Sequence, residues 1–359
     1  MENKVNQKMD FTGHNIYIGL DTHLRSWTTT IQVEDAFFKT FSQDPDSEIL
    51  SNYLKKNFPG ANYFSAYEAS FSGFSAHREL NKLGIKNIVV NPADIPTTDK
   101  ERKQKDDARD SKKIAEQLGA SKLVAIYVPG IEAEGDRSML RFRRTLTKEI
   151  ARNKNRVKSF LYYHGMTIPV QFADKKYWSK RFTKWLRELE LPSESARVTL
   201  TEIVELVEFL RKKQYQMLKR IKELSQTKQF KQNTELLISI PGIGLITAMS
   251  FLTEIEDSAR FSNLDKFCSF VGLIPTTNSS GEHEAVGSIT KRQNKILRSL
   301  IVESSWVAIK NDPALMLAYQ KLVKKMKPTK AIIRIAKKML NRIRYVLREQ
   351  KSYEYAIVK

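Results

Sequence analysis

The hydrophobic pattern of the first 125 or so residues alternates predicted strands with helices. Residues 16–23 (IYIGLDTH) are an apolar run ending in polar residues. The β-branched run 27–33 (WTTTIQV) and the run 36–41 follow closely, and together the three predict a short β-meander. Residues 46–57 take helical spacing, with Ile49, Leu50, Tyr53 and Leu54 on one face. A fourth strand is predicted over 63–69 and a helix over 72–83, ended by Gly84. A fifth strand over 85–91 (IKNIVVN) is closed by Pro92, and after a charged loop a helix runs from about Asp107 to Leu118.

This β-β-β-α-β-α-β-α order is that of the ribonuclease-H-like fold and predicts an α/β domain over 14–125. Beyond it the period is helical and charged. The stretches 138–164 and 193–228 are broken by Gly165 and Pro169 and reopened at Pro192. They predict long, partly coiled-coil helices over 132–232, either a plain spacer or an arm that oligomerises or braces nucleic acid. Residues 233–359 predict a mostly helical third region that ends in basic helices around 324–348.

Charge adds a partner to the fold. Lys and Arg number 61 against 40 Asp and Glu, a net +21 over 359 residues, which favours nucleic acid over anionic lipid as the partner. The 41% hydrophobic content is enough for buried cores in about two domains. The single cysteine, Cys268, excludes an intramolecular disulfide and a multi-cysteine zinc site, and fits a reducing compartment. Residues 1–13 are polar, without the apolar core of a signal peptide. No segment approaches about 18 uninterrupted apolar residues. The expectation is a cytoplasmic or nucleoid-associated protein without a membrane span.

Four carboxylates stand out. Asp21 lies at the end of the first strand and Glu68 near the end of the fourth, and these strands can be neighbours in this topology. Asp107 and Asp110 share a helix face at i and i+3; Asp106 and Asp110 share one at i and i+4, so spacing leaves Asp106 and Asp107 both open. Taken singly, they read as a turn residue, an exposed strand carboxylate and partners of a helix dipole. Packed together they cannot all ionise without a counter-charge, which a divalent ion supplies. Hard oxygen donors favour Mg²⁺ or Mn²⁺, in a site suited to phosphodiester chemistry. His23 and His283 show no metal-ligand spacing and read as structural or phosphate-touching.

In the C-terminal region, residues 240–244 (IPGIG) read as a helix-hairpin-helix turn. Gly242 and Gly244 would permit the turn and leave N–H groups free to approach a phosphate, the plainer alternative being a packing turn. Residues 278–281 (NSSG) predict a polar, flexible loop, followed by a basic helix with Lys291, Arg292, Lys295 and Arg298. A serine hydroxyl on such a loop suits attack on a DNA phosphorus, the cations stabilising the developing charge.

These motifs in order (GLDTH at 19–23, YEAS at 67–70, KDDARDSKKIA at 105–115, IPGIG at 240–244, then RFSNLDKFCSFVGLIP, SSG and ITKRQNKILR between 260 and 298) resemble the DEDD-type transposases of the "insertion sequence one-ten" group, which includes Piv-like invertases. The family's third motif resembles K-T-D-x-x-D-A. Here Lys105 precedes Asp106 where Thr is usual, then come Asp107 and Asp110, and Ser111 replaces Ala, so the resemblance favours Asp107. The family's nucleophilic serine precedes glycine and maps onto Ser280, with Ser279 beside it. The resemblance implies a RuvC-like N-terminal domain, a coiled-coil linker and a C-terminal transposase domain. It implies a metal-bound cluster of Asp21, Glu68, Asp107 and Asp110 acting with Ser280 through a covalent 5′-phosphoserine link. It further implies a homo-oligomer from dimer to tetramer with shared active sites, acting on donor and target DNA, in many members under a non-coding bridge RNA. Lys105, Gly242, Gly244, Lys291, Arg292, Lys295 and Arg298 are the candidate nucleic-acid contacts. The expected activity is that of a transposase or site-specific recombinase. A Holliday-junction-type hydrolytic nuclease and an invertase working without guide RNA are the alternatives.

Overall fold

The structure is a computed structural model describing residues 10–95, 106–173, 178–280, 283–289 and 294–355. It divides into two compact units, Met1–Val128 and Pro129–Lys359.

The first unit follows the predicted order. Strands β1 (Asn15–Thr22), β2 (Trp27–Val33) and β3 (Ala36–Gln43) form an antiparallel meander. Helix α1 (Ser47–Asn57), strand β4 (Asn62–Glu68), helix α2 (Ser75–Lys82), strand β5 (Lys86–Val90) and helix α3 (Asp107–Gly119) follow. The sheet order is β3-β2-β1-β4-β5, with β1, β4 and β5 mutually parallel. Alternation along β1 decides what each face receives. Ile16, Ile18 and Leu20 are fully buried in one cluster with Leu50 and Leu54 of α1 and Leu80 of α2. The opposite face carries Gly19, and there α3 lies directly on the strand. A Cβ built at Gly19 would collide with the Ser111 carbonyl oxygen and sit 2.5 Å from the Ala115 nitrogen. Ile114 of α3 completes this side with Ala66, Val90 and Ile95. The buried Ser111 hydroxyl, 2.8 Å from that of Thr30, ties the helix to β2.

The second unit is built on two long helices, α4 (Ile131–Tyr163, 33 residues) and α7 (Glu194–Ser225, 32 residues). At 1.5 Å rise per residue each is about 50 Å long. Leu140 near the start of α4 shares a core with Ile221 near the end of α7. Val157 and Leu161 near the end of α4 pack with Leu200 and Val204 near the start of α7. The pair is therefore antiparallel. Short helices α5 (Val170–Ala173) and α6 (Lys180–Arg187) occupy the connection, where Phe172, Trp178 and Phe182 are buried with the helix ends.

The apolar stretch that begins at Leu236 forms helices α8 (Lys231–Ile238) and α9 (Leu245–Ile255) around the 240–244 turn. Helices α10 (Leu264–Val271), α11 (Lys295–Asn311), α12 (Pro313–Val323) and α13 (Pro328–Glu349) complete this core. In α13, Ile332, Ile335, Met339, Leu340, Ile343 and Val346 are buried at helical spacing. Where sequence suggests a flexible loop, the chain forms a hairpin of β6 (Pro275–Ser280) and β7 (His283–Ile289). The β-branched Thr276, Thr277, Val286 and Ile289 favour extended backbone, and Ser280 is the last residue of β6.

The end of the chain is tied to the start of α12. Asp312, 1% exposed, caps α12 through the Leu315 N–H at 3.0 Å, accepts the Tyr353 hydroxyl at 2.6 Å and pairs with Arg342 at 2.9 Å. Burial pushes the Tyr353 phenol up to about 12, and its hydrogen bond to Asp312 adds to the shift. An unfolded tyrosine titrates near 10, so this contribution to stability is fully present below about pH 10 and lost as pH rises toward 12. Tyr353→Phe is expected to cost about 1–2 kcal/mol at neutral pH and to flatten the decline above pH 10. Urea denaturation across pH checks both.

Candidate functional site

The site lies at the carboxyl end of β1. Leu20 pairs with Tyr67, so the next residues along these parallel strands are Asp21 and Glu68. Asp21 alternates with Leu20 and so shares the face of Gly19, the face on which α3 packs. The close approach at Gly19 brings the start of α3 to the strand end. Asp106 is used there as the N-cap: its side chain accepts the Ala108 N–H at 3.1 Å. Asp107 is left to face the strand.

Asp21, His23 and Asp107 each offer a ligand atom, and these atoms lie within 4.8 Å of one another. His23 Nε2 is 3.2 Å from Asp21 Oδ2 and 3.4 Å from Asp107 Oδ2. An octahedral ion bound at about 2.1 Å holds neighbouring donors roughly 3 Å apart, so the spacing fits one small divalent cation. Asp21 is 18% exposed and Asp107 48%, so the site is open to solvent on the α3 side. Two carboxylates converging on one imidazole suit a hard, doubly charged ion. Glu68 and Asp110 are half-buried and stand outside this trio, Glu68 on the neighbouring strand and Asp110 one turn into α3. Beside the trio the Thr22 hydroxyl is 3.1 Å from that of Ser72, itself 2.9 Å from that of Ser70.

Sequence reasoning passed over His23 as a ligand. The signal was present: Asp21 and His23 are two apart on extended chain and so share a side. The turn that follows, with His23 N–H donating to the Ser26 carbonyl at 3.0 Å, holds the imidazole at the strand end.

In the second unit, Gly242 has φ +87°, and a Cβ there would collide with the Ser304 carbonyl oxygen and lie 2.9 Å from the Ala308 nitrogen. Its smallness lets α11 approach the turn, which is the packing role. Gly244 caps α9, is exposed and has nothing within 4 Å of a built Cβ. Ser280 pairs with His283 across the tip of the hairpin, and Ser279 with Glu284. Arg298 donates to the Gly272 carbonyl at 3.4 Å, while Lys295 is exposed on the first turn of α11. Lys105, Lys291 and Arg292 lie outside the described residues. Among the described residues no helix is long and apolar enough to cross a membrane.

Comparison with known proteins places this geometry in a family. Residues 51–164 match the DEDD transposase domain of the IS110 type, and residues 234–320 match the domain described as the transposase IS116/IS110/IS902 family. The transposase-like protein y4qE of Sinorhizobium fredii is 30% identical over 244 residues, covering 68% of this chain and 58% of its own length. The transposase for insertion sequence element IS1533 of Leptospira borgpetersenii is 26% identical over 258 residues, 69% of this chain and 72% of its own. That for element IS1111A of Coxiella burnetii is 26% identical over 236 residues, 64% and 61% respectively. The chain thus spans less than two thirds of the length of the first and third of these relatives. With both domains matched in order, one carrying Glu68, Asp107 and Asp110 and the other the 240–244 turn and Ser280, the protein belongs to the IS110 group of transposases.

Proposed function

We propose that the protein is the transposase of an insertion sequence, a DNA recombinase that cuts and rejoins strands through Asp21, Glu68, Asp107, Asp110 and Ser280. The observation that carries this reading is the convergence of Asp21, His23 and Asp107 at the end of the central strand. The sheet order 3-2-1-4-5 supports a ribonuclease-H-like, RuvC-like domain, in which acidic groups at strand ends serve phosphodiester chemistry. Asp21 and Asp107 with His23, joined by Glu68 and Asp110, would hold Mg²⁺ or Mn²⁺. When bound, the ion supplies Lewis-acid polarisation of a phosphate oxygen and neutralises the charge that develops during displacement.

In this reading the Ser280 oxygen attacks a DNA phosphorus. A Ser280 Oγ–P bond forms, the P–O3′ bond breaks, and the serine proton is released as the 3′ oxygen takes one up, leaving a 5′-phosphoserine link and a free 3′-hydroxyl. Reversal with a second strand's 3′-hydroxyl rejoins DNA without an external energy source. Ser280 is the last residue of β6, at the end of its pairing with β7. Action as a dimer or tetramer on donor and target DNA, directed by a bridge RNA, completes the proposal. Lys105, Lys291, Arg292, Lys295 and Arg298 are its cationic contacts, and the net +21 charge supports them.

Incubation of the purified chain, its element's flanking non-coding transcript and labelled donor and target DNA tests the metal requirement. Cleavage is expected with Mg²⁺ or Mn²⁺ and is expected to fall below detection with EDTA; cleavage undiminished by EDTA would contradict the proposal.

A further inference from the structure

An open pocket of about 260 Å³ lies within the second unit, lined by α4, α9 and α11. Its wall combines apolar Leu140, Ile246 and Leu300 with Arg143, Arg144 and Lys148 from α4. Among the described residues, Arg143 Nε and Arg144 Nη1 are buried without a hydrogen-bond partner. A buried guanidinium N–H without an acceptor is costly, so this arrangement asks for an acceptor from outside the fold. Burial also holds the Arg143 guanidinium below its ordinary pKa.

Of the acceptors on the wall, Glu254 and Thr147 are engaged elsewhere, while the exposed Glu303 carboxylate of α11 also lines the cavity. Glu254, 5% exposed, accepts both donors of Arg141 at 2.9 and 3.0 Å and the Asn294 amide at 3.0 Å. The Thr147 hydroxyl donates to the Arg143 carbonyl and accepts from Gln214 at 2.8 Å. Arg141 is thereby neutralised, and Arg143, Arg144 and Lys148 still outnumber the single Glu303 carboxylate by two charges, which remain for a ligand. The missing partner is an anion with several acceptor oxygens. Guanidinium forks match phosphate geometry and are less strongly hydrated than ammonium. The volume is just below the roughly 300 Å³ at which pockets for small organic ligands begin, so it takes one compact group. Exposed Lys295 stands one residue before Ile296 of the wall and extends the cationic surface beyond the pocket.

We propose that this cavity is a phosphate-binding pocket, in which Arg143, Arg144 and Lys148 hold one backbone phosphate of a DNA strand. That the phosphate belongs to DNA rests on the transposase reading; the anion chemistry of the pocket does not.

The test uses the full chain in EDTA, so that strand cleavage plays no part. Fluorescence anisotropy with a labelled DNA duplex is measured from low to high NaCl for wild type, Arg143→Met/Arg144→Gln, and Arg152→Gln. Arg152 pairs with Glu149 on the surface of the same helix and serves as the control. The double variant is expected to bind at least about tenfold more weakly near 0.1 M salt, with a plot of log affinity against log salt less steep by about 1–2, at roughly 0.9 for each phosphate no longer neutralised. Arg152→Gln is expected to match wild type. Arg143→Met alone is expected to keep or raise the thermal midpoint, because it removes an unsatisfied donor; a large fall would mark Arg143 as a structural residue and overturn the proposal. Unchanged DNA affinity and slope in the double variant would also overturn it. So would stabilisation of wild type, but not of the double variant, by inorganic phosphate with DNA binding unaffected, which would assign the pocket to a free phosphorylated ligand. A changed slope in a protein that forms no covalent adduct would leave the pocket standing while the transposase chemistry failed.

Discussion

Asp21→Asn is expected to slow metal-dependent DNA cleavage by about 10³-fold or more, because loss of even an outer hydrogen-bond partner of a metal site costs about 10–100-fold and this residue supplies a ligand oxygen itself. Its carboxylate lies 3.2 Å from the same imidazole nitrogen that Asp107 approaches to 3.4 Å. Without an ion, two like charges oppose each other there, so Asn is expected to leave the fold as stable as wild type or somewhat more stable. Lost activity with retained stability separates a ligand from a structural residue. Asp107→Asn is expected to behave in the same way. Asp106→Asn is expected to retain cleavage within a few-fold, since asparagine caps a helix about as well as aspartate. Comparing cleavage rates and urea midpoints of the three variants checks the assignment. Equal losses at Asp106 and Asp107 would show that the cap, not the ligand, matters.

Gly19→Ala is expected to destabilise the first unit by about 3 kcal/mol or more, at the upper end of the cost of overpacking. The added methyl would meet backbone atoms of Ser111 and Ala115 rather than a side chain that can turn aside. Helix α3 must therefore move away from β1, taking Asp107 with it, so cleavage is expected to fall as well. Gly13→Ala is the control. Gly13, unlike Gly19, has positive φ, +86°, but nothing lies within 4 Å of its Cβ, so only the backbone preference of about 1 kcal/mol is lost. Chemical denaturation of the two variants separates close approach from conformational strain. Equal costs would mean that α3 does not bear on the strand as tightly as its geometry indicates.

The sheet was legible because its signals are strong and local. The apolar run 16–23 and the β-branched run 27–33 read as strands, and Gly84 and Pro92 punctuate the helix and strand around them. The neighbouring of β1 and β4, and with it Asp21 beside Glu68, followed from element order. The choice between Asp106 and Asp107 did not follow from spacing, because both share a face with Asp110; the motif resemblance favours Asp107, and the Asp106 side chain is taken up by its capping hydrogen bond to Ala108. His23 was missed because its partner Asp107 is 84 residues away and meets it only through the packing at Gly19. The β6–β7 pair reads as a loop in sequence because Asn278, Ser279 and Ser280 carry turn preferences that cross-strand pairing overrides. Gly242 reads in sequence either as a phosphate-approach glycine or as part of a packing turn, and the backbone of α11 occupies the space that its missing side chain leaves. The half-buried arginines at 143 and 144 sit in a helix that sequence marks only as long and charged, and the packing of α9 and α11 is what covers Arg143 Nε and Arg144 Nη1.

The most direct test of the central claim is covalent trapping. The chain, with its element's non-coding transcript, meets end-labelled donor and target DNA in Mg²⁺, and the products are resolved on a denaturing gel for wild type, Ser280→Ala, Ser279→Ala and Asp21→Ala. A protein–DNA adduct in wild type and Ser279→Ala that is absent from Ser280→Ala and Asp21→Ala is the predicted result. Cleavage that persists in Ser280→Ala with no adduct in any lane would contradict the serine mechanism and identify a hydrolytic nuclease.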